Sequence, residues 1–164
     1  MIDIVVLKSW LGKSIEEPAF VIWLAACGID ASTDIVLPDG EYTAYVERVF
    51  EGYCFVFTDE AMFFNLRNKP IGEGKLYFSG AFFYADGKDG YIGYKGDLPE
   101  GLNFSFNRAE ILKLLGVSSA QRNRGDGSLI SERWVFSNYS LSITYSKQED
   151  KPDLISLFIP LPER

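Results

Sequence analysis

The chain has no histidine and only two cysteines among its 164 residues. Histidine is the usual general base of serine and cysteine hydrolases and the commonest protein ligand of zinc. The chain therefore lacks the residue on which a hydrolase site or a zinc site ordinarily depends. Cys27 and Cys54 are too few for a disulfide framework, and they do not form the C-x-x-C pair of a thiol redox site. We therefore expect two buried free thiols, no bound metal, no cofactor and no catalytic residue.

Lysine and arginine are also scarce: there are 16 of them against 23 aspartates and glutamates, which gives a net charge of −7. Nucleic acids and anionic membrane surfaces both attract basic patches, so we expect neither as a partner. The apolar run at residues 19–28 is too short to span a bilayer, and the start of the sequence lacks the basic region of a signal peptide. These features predict a cytoplasmic protein whose partner is basic.

Apolar and aromatic residues, by contrast, make up 47% and 15% of the chain. Disordered chains are poor in such residues, so the composition predicts a packed core. A length of 164 residues suits one domain, or two small halves that share a core.

Two segments carry the signals of helices. Residues 18–27 begin with a proline, follow two glutamates and end before Gly28, which tolerates the left-handed conformation common after a helix. Residues 107–115 begin with an asparagine that has Glu110 three residues on, the pattern of a capping box, and they end before Gly116.

The remaining apolar segments have the short alternating patterns of strands. We expect strands at residues 1–7, at 75–84 with an interruption at Gly80, and at 154–159. A further strand at 91–94 would return from a turn at 86–90.

Two of the predicted hairpins are similar in sequence. Residues 49–58 and 135–144 share four of ten positions, and Gly52 in the first corresponds to Asn138 in the second. Both residue types tolerate the positive φ that a two-residue hairpin turn requires. The similarity predicts a duplicated unit in which a helix precedes an antiparallel meander, with one repeat at 1–74 and the other at 75–164 in one compact molecule.

The fold class expected from these elements is α+β. Short links between strands favour antiparallel pairing, in one continuous sheet or two abutting sheets with the helices on one side.

Acidic residues are concentrated between Asp34 and Glu60, where seven acids accompany one base. A charge run is often only a solvated face, but it also forms a docking surface for a basic partner such as a nuclease. The candidate partner-binding residues are these acids and the tyrosines among them: Asp34, Asp39, Glu41, Tyr42, Tyr45, Glu47, Glu51, Tyr53, Asp59 and Glu60. We expect alternation along the strands to turn some of the tyrosines inward. The second candidate interface is the polar stretch at 117–128, which we expect to be flexible, as we do residues 29–40.

Two stretches resemble a known protein family. Residues 11–20, LGKSIEEPAF, and residues 94–104, YKGDLPEGLNF, followed by Arg108, Glu110 and Gly116, resemble small bacterial immunity proteins encoded beside polymorphic toxins. The duplicated plan is also similar to that of β-lactamase-inhibitor proteins, which occlude an enzyme with a sheet. The resemblance implies a non-enzymatic protein that binds and neutralises a cognate toxin.

Two other functions stay open at this point. One is a protein-interaction module unrelated to toxins. The other is a histidine-free enzyme that uses paired carboxylates on a polymer such as a glycan.

Overall fold

The computed structural model describes residues 1–147 and 150–160. Its helices are α1 (Ile4–Trp10), α2 (Pro18–Ala26), α3 (Glu60–Phe63) and α4 (Arg108–Leu115). Its strands are β1 (Thr43–Arg48), β2 (Tyr53–Asp59), β3 (Leu76–Tyr84), β4 (Ala120–Asn123), β5 (Leu129–Val135), β6 (Ser140–Tyr145) and β7 (Pro152–Phe158). None of the helices in the described ranges has the length and apolar character needed to cross a membrane.

The seven strands form one antiparallel sheet in the order β1-β2-β3-β7-β6-β5-β4. This confirms the α+β class and the single-sheet alternative. The duplication stays a prediction, and the two hairpin turns differ in detail. Gly52 has a φ of +82°, whereas Asn138 does not adopt a positive φ. Each turn spans four residues between its strands instead of the expected two.

The chain divides into two compact units, both of which are discontinuous in sequence. Unit 1 contains Met1–Glu47, Cys54–Ala81 and, among the described C-terminal residues, Ile159 and Pro160. Unit 2 contains Arg48–Tyr53 and Phe82–Phe158.

Unit 1 is built around a cluster of aromatic rings. Phe20 of α2 stacks on Trp10 of α1 with ring centroids 5.2 Å apart and contacts Phe78 of β3 at 5.6 Å. Trp23 stacks on Phe55 of β2 at 5.9 Å. Ring pairs of this kind stabilise a fold by about 0.5–1.5 kcal/mol each beyond the burial of their apolar area. Phe20 and Trp23 therefore turn α2 toward the core of unit 1.

Unit 2 has a sheet face on which alternate residues are buried. Trp134 of β5 lies opposite Leu141 of β6, which in turn lies opposite Leu157 of β7, and all three are buried. The indole nitrogen of Trp134 donates to the carbonyl oxygen of Gly116 at 3.0 Å. This bond ties the end of α4 to β5. The predicted capping box of α4 is confirmed, because Asn107 and Glu110 exchange side-chain bonds with each other's amides at 2.9 and 2.8 Å.

The strand predicted at residues 1–7 is wrong, because this segment begins α1. The Asp3 carboxylate accepts bonds from the amides of Val5 and Val6, which caps a helix start. Ile4 and Leu7 are buried three residues apart, as on a helical face. A short run of β-branched residues favoured a strand, but the aspartate cap and the buried face determine the structure.

Three further predictions are corrected by the structure. Gly80 does not interrupt β3, which is continuous through it. Residues 91–94 are not a strand, although Tyr94 donates a backbone bond to Tyr84. Residues 117–128 include β4, because Gln121 of that segment pairs in register with Glu132 of β5. The short helix α3 was not predicted, because it is a single turn of four residues.

The turn at residues 49–52, which joins β1 to β2, is held by four backbone hydrogen bonds. The Arg48 carbonyl accepts from the amides of Glu51 and Gly52 at 3.1 and 2.9 Å. The Val49 carbonyl accepts from Ile92 at 3.0 Å, and the Gly52 carbonyl accepts from Tyr84 at 2.9 Å, which also bonds Tyr94. The backbone of residues 92–94 packs so closely on Gly52 that a side chain there has no room.

Replacing Gly52 with alanine tests this close packing. The added Cβ would lie 2.5 Å from the carbonyl oxygen of Ile92 and closer still to the amide nitrogen of Tyr94. Gly87→Ala is the matched control, because Gly87 has a φ of +81° and no atom within 4 Å of an added Cβ. Both variants should lose about 1–2 kcal/mol of unfolding free energy from the left-handed backbone. Gly52→Ala should lose about 1–3 kcal/mol more from the steric clash. Equal losses in urea unfolding would contradict the packing described here.

Candidate functional site

The structure places the candidate partner-binding residues in three kinds of environment. Glu60 is half-buried, and Asp59 and Tyr53 are buried. The others are exposed: Asp34, Asp39, Glu41, Tyr42, Tyr45, Glu47 and Glu51.

The buried members of this group have structural contacts. Asp59 is 0% exposed and caps α3, since its carboxylate accepts from the Ala61 amide at 3.0 Å. Tyr53 packs edge-on against Tyr94 with ring centroids 6.2 Å apart. The half-buried Glu60 forms an ion pair with Lys69. Asp59 and Tyr53 are therefore not available to a partner at the surface.

Strand β1 and the two residues before it carry four of the exposed candidates in unit 1. Ala44 and Val46 are buried, and the alternation of the strand turns Tyr45 and Glu47 outward. Just before the strand, Glu41 and Tyr42 are exposed as well. We call these four residues, Glu41, Tyr42, Tyr45 and Glu47, the β1 surface.

Tyr45 interacts electrostatically with ionisable side chains around it. Partial burial raises the pKa of Tyr45, and the nearby Cys54, Tyr42 and Glu41 raise it further by opposing a second negative charge. Tyr45 is still 58% exposed and Tyr42 is 44% exposed. Two tyrosine rings thus stand at the surface beside carboxylates.

Asp34, in contrast, takes part in the structure of a loop. Its carboxylate accepts from the amide of Asp30 at 2.8 Å, and its own amide donates to the Asp30 carbonyl at 2.8 Å. Asp30 in turn accepts from Ser32, and these bonds lower the pKa of Asp30. The loop at 29–40, which the sequence predicted to be flexible, therefore contains a hydrogen-bonded turn.

A second feature, in unit 2, is a buried carboxylate that the sequence did not reveal. The side chain of Glu132 on β5 is 0% exposed. Arg108 at the start of α4 binds both of its oxygens, with Nε 3.1 Å from Oε2 and Nη2 2.9 Å from Oε1. Ser118 and Gln121 donate to Oε1 at 3.0 and 3.1 Å, and the Tyr145 hydroxyl donates to Oε2 at 2.8 Å.

The pKa of Glu132 follows from these bonds. Burial raises it, but the hydrogen bonds from Arg108, Tyr145 and Ser118, together with the charge of Arg108, lower it by more. Burial and the bond to Glu132 raise the pKa of Tyr145. A general acid needs a raised carboxyl pKa, so Glu132 has the wrong electrostatics for that role. The ion pair and the hydrogen bonds satisfy the buried charge of Glu132, so the network stabilises the fold.

The signal that could have revealed this network is the position of Glu132 in its strand. It lies two residues before the buried Trp134, on the side of β5 that faces inward. Its partner Arg108 is 24 residues away in sequence, so no local pattern links the two.

No candidate metal centre accompanies either feature in the ranges 1–147 and 150–160. These ranges contain no group of three or more histidine, cysteine, aspartate or glutamate side chains that could hold a metal ion. Cys27 and Cys54 are both free thiols, Cys54 buried and Cys27 half-buried.

Comparisons with known proteins give one similarity of fold. No protein-family model and no curated protein matches the chain. The crystal structure of a cysteine-rich secretory protein from Staphylococcus aureus is similar to it with a TM-score of 0.50 and 12% identity, over 92% of this chain and 44% of that one. This chain therefore spans less than half the length of that protein. At 12% identity the likeness concerns the fold alone.

The Glu132 network predicts a large effect of one substitution. Glu132→Gln should lower the free energy of unfolding by about 3 kcal/mol, near the low end for a broken buried ion pair, because the Arg108 side chain is 36% exposed. Glu110→Gln is the matched control: Glu110 is exposed, and glutamine also completes a capping box. Urea unfolding at pH 7 measures both, and equal losses would contradict the assignment.

The difference in unfolding free energy between the native chain and Glu132→Gln should depend on pH. The folded pKa of Glu132 lies below its ordinary value of 4.5, so its ionised form stabilises the protein above that pH, and this contribution is lost as the pH falls through the folded pKa. The gap in unfolding free energy between the native chain and Glu132→Gln should therefore narrow below about pH 4.5. A gap that widens on acidification would reverse the sign assigned to this group.

Proposed function

We propose that this chain is an immunity protein that binds a cognate bacterial toxin with a basic surface and neutralises it by occlusion. The observation that carries the proposal is the β1 surface, where two exposed tyrosines and two exposed glutamates lie on strand β1 of unit 1 and just before it. The resemblance of residues 11–20 and 94–104 to immunity proteins supports the same function.

The β1 surface has the physical features of a protein-binding site. Tyrosine is enriched among the residues that dominate binding energy, since its ring buries a large apolar area while its hydroxyl keeps a hydrogen-bonding group. Glu41 and Glu47 provide negative charge beside the rings. Such charge accelerates encounter with a basic partner and disfavours acidic ones.

Strand β1 also lies at one end of the sheet, with β2 as its neighbour in the strand order. A terminal strand pairs with a neighbouring strand on one side, and such strands are a common docking position for another protein. A toxin that carries catalytic lysines or arginines for a phosphate substrate would present the opposite charge. A nuclease is therefore the toxin class that we favour.

The experiment that tests the function uses the protein encoded beside this gene. The C-terminal domain of that neighbour is expressed from an inducible promoter, with and without this chain, and cell survival and co-purification are scored. Immunity predicts that the domain is toxic alone and that this chain restores growth by forming a stable complex. A toxic domain that this chain neither binds nor neutralises would reject the proposal and leave an interaction module unrelated to toxins.

The anchor role of the β1 surface gives a quantitative prediction. Tyr45→Ala should raise the Kd for the toxin domain by about 30-fold, the effect of losing about 2 kcal/mol at an interface hot spot. Differential scanning calorimetry of the unbound variant should show an unchanged unfolding transition, because Tyr45 is mostly exposed. Unchanged affinity would move the interface away from β1.

The charge of the β1 surface gives a separate prediction. Glu47→Lys should lower the association rate constant, by several-fold in dilute buffer and by less at high salt, because screening weakens the attraction. Glu73→Lys is the matched control, since Glu73 is an exposed acid of the same unit outside the β1 surface, and the net charge changes equally. Stopped-flow kinetics measure both, and equal slowing would indicate a net-charge effect without a defined surface.

A further inference from the structure

The tip of the turn at residues 49–52 presents an unusual side chain to solvent. Phe50 is 80% exposed, although tight turns are usually made of glycine, asparagine, aspartate or serine. Among the aromatic contacts within the described residues, the Phe50 ring takes part in none. Phe50 therefore contributes little to the core of unit 2.

The backbone beneath Phe50 is fixed. The residues on either side of it, Val49 and Glu51, are each held by a backbone hydrogen bond, to Ile92 and Arg48 respectively. The positive φ of Gly52 and its close contact with residues 92–94 hold the end of the turn. A fixed backbone reduces the conformational entropy that is lost when a side chain enters a partner's pocket.

The surroundings of Phe50 indicate the chemistry of the partner. Val49 is 37% exposed and Ile92, which bonds to it, is 45% exposed, so they extend the apolar surface. Two exposed carboxylates lie in the same pair of segments, since Glu51 follows Phe50 and Asp86 accepts a bond from the amide of Gly93 at 3.0 Å, whereas the cation that precedes the turn, Arg48, is half-buried. An apolar tip flanked by negative charge is complementary to an apolar pocket with a basic rim.

We infer that Phe50 is an apolar anchor that inserts into a pocket with a basic rim on the toxin. This rests on the proposed function and adds to it, because the anchor belongs to unit 2 and is carried by the geometry of the turn instead of the acidity of β1. Burial of one aromatic ring in a well-packed pocket is the pattern of an interface hot spot. The flanking Glu51 and Asp86 select against pockets with acidic rims.

The test compares two exposed apolar residues of the same unit in the purified full-length chain. Phe50→Ser should raise the Kd for the toxin domain of the neighbouring gene at least ~30-fold, mainly through faster dissociation. Val135→Ser is the matched control: Val135 is 54% exposed on β5, belongs to neither candidate interface, and should change the Kd less than about twofold. Circular dichroism and the melting temperature of each variant establish that the fold is intact.

A second measurement locates the contact directly. The photo-crosslinking amino acid p-benzoylphenylalanine, placed at position 50, should crosslink to the toxin domain, whereas the same group at position 135 should not. This readout does not depend on a stability change at the turn.

The outcomes separate the two proposals. If the native chain does not bind the toxin domain, the proposed function fails and the anchor fails with it. If the native chain binds but Phe50→Ser binds as tightly and position 50 does not crosslink, the anchor alone is rejected. If the native chain is a dimer in sedimentation and Phe50→Ser is a monomer, the tip is a self-association surface and the inference is overturned.

Discussion

The charge buried at Glu132 constrains the second half of the chain more than any other single group. A carboxylate removed from water requires a cation and enough donors to replace its hydration, and here Arg108, Ser118, Gln121 and Tyr145 supply them. These residues come from the start of α4, the segment after it, β4 and β6. One side chain therefore determines how three elements and a connection meet β5. A partly formed version would leave the charge unsatisfied, so we expect this region to fold as one cooperative step.

Local signals in the sequence predicted the elements whose causes are local. The α4 capping box is an example, because Asn107 and Glu110 lie within one helical turn of each other. Local signals also predicted strand β7 and a helix α2 that begins with a proline. The first helix was missed because the Asp3 cap is a single residue, and its signal was outweighed by four β-branched neighbours. Strand β4 was missed because its four residues are all exposed and three of them are polar, and only pairing with β5 orders them.

The candidate site was predicted only in part, for a related reason. Acidic residues are easy to count, but a count does not state which way each side chain points. Asp59 belongs to the same acidic run as Glu47, yet it caps α3 and is buried. Tyr45 and Tyr53 lie eight residues apart on either side of the turn, and one is exposed and the other buried. Every residue of β2 is buried, whereas burial alternates along β1, so the exposure of Tyr45 and the burial of Tyr53 follow from the strands to which they belong.

The three tryptophans are distributed so that each unit carries its own. Trp10 and Trp23 share an aromatic cluster with Phe20 in unit 1, where the Trp10 indole nitrogen is buried without a hydrogen-bond partner among the described residues. Trp134 lies in unit 2 and donates its indole hydrogen to a carbonyl. The two environments differ in polarity and in ring stacking, so their fluorescence spectra should differ as well. The native chain thus contains separate optical reporters for its two halves, and the order in which they lose structure on heating is readable without any added label.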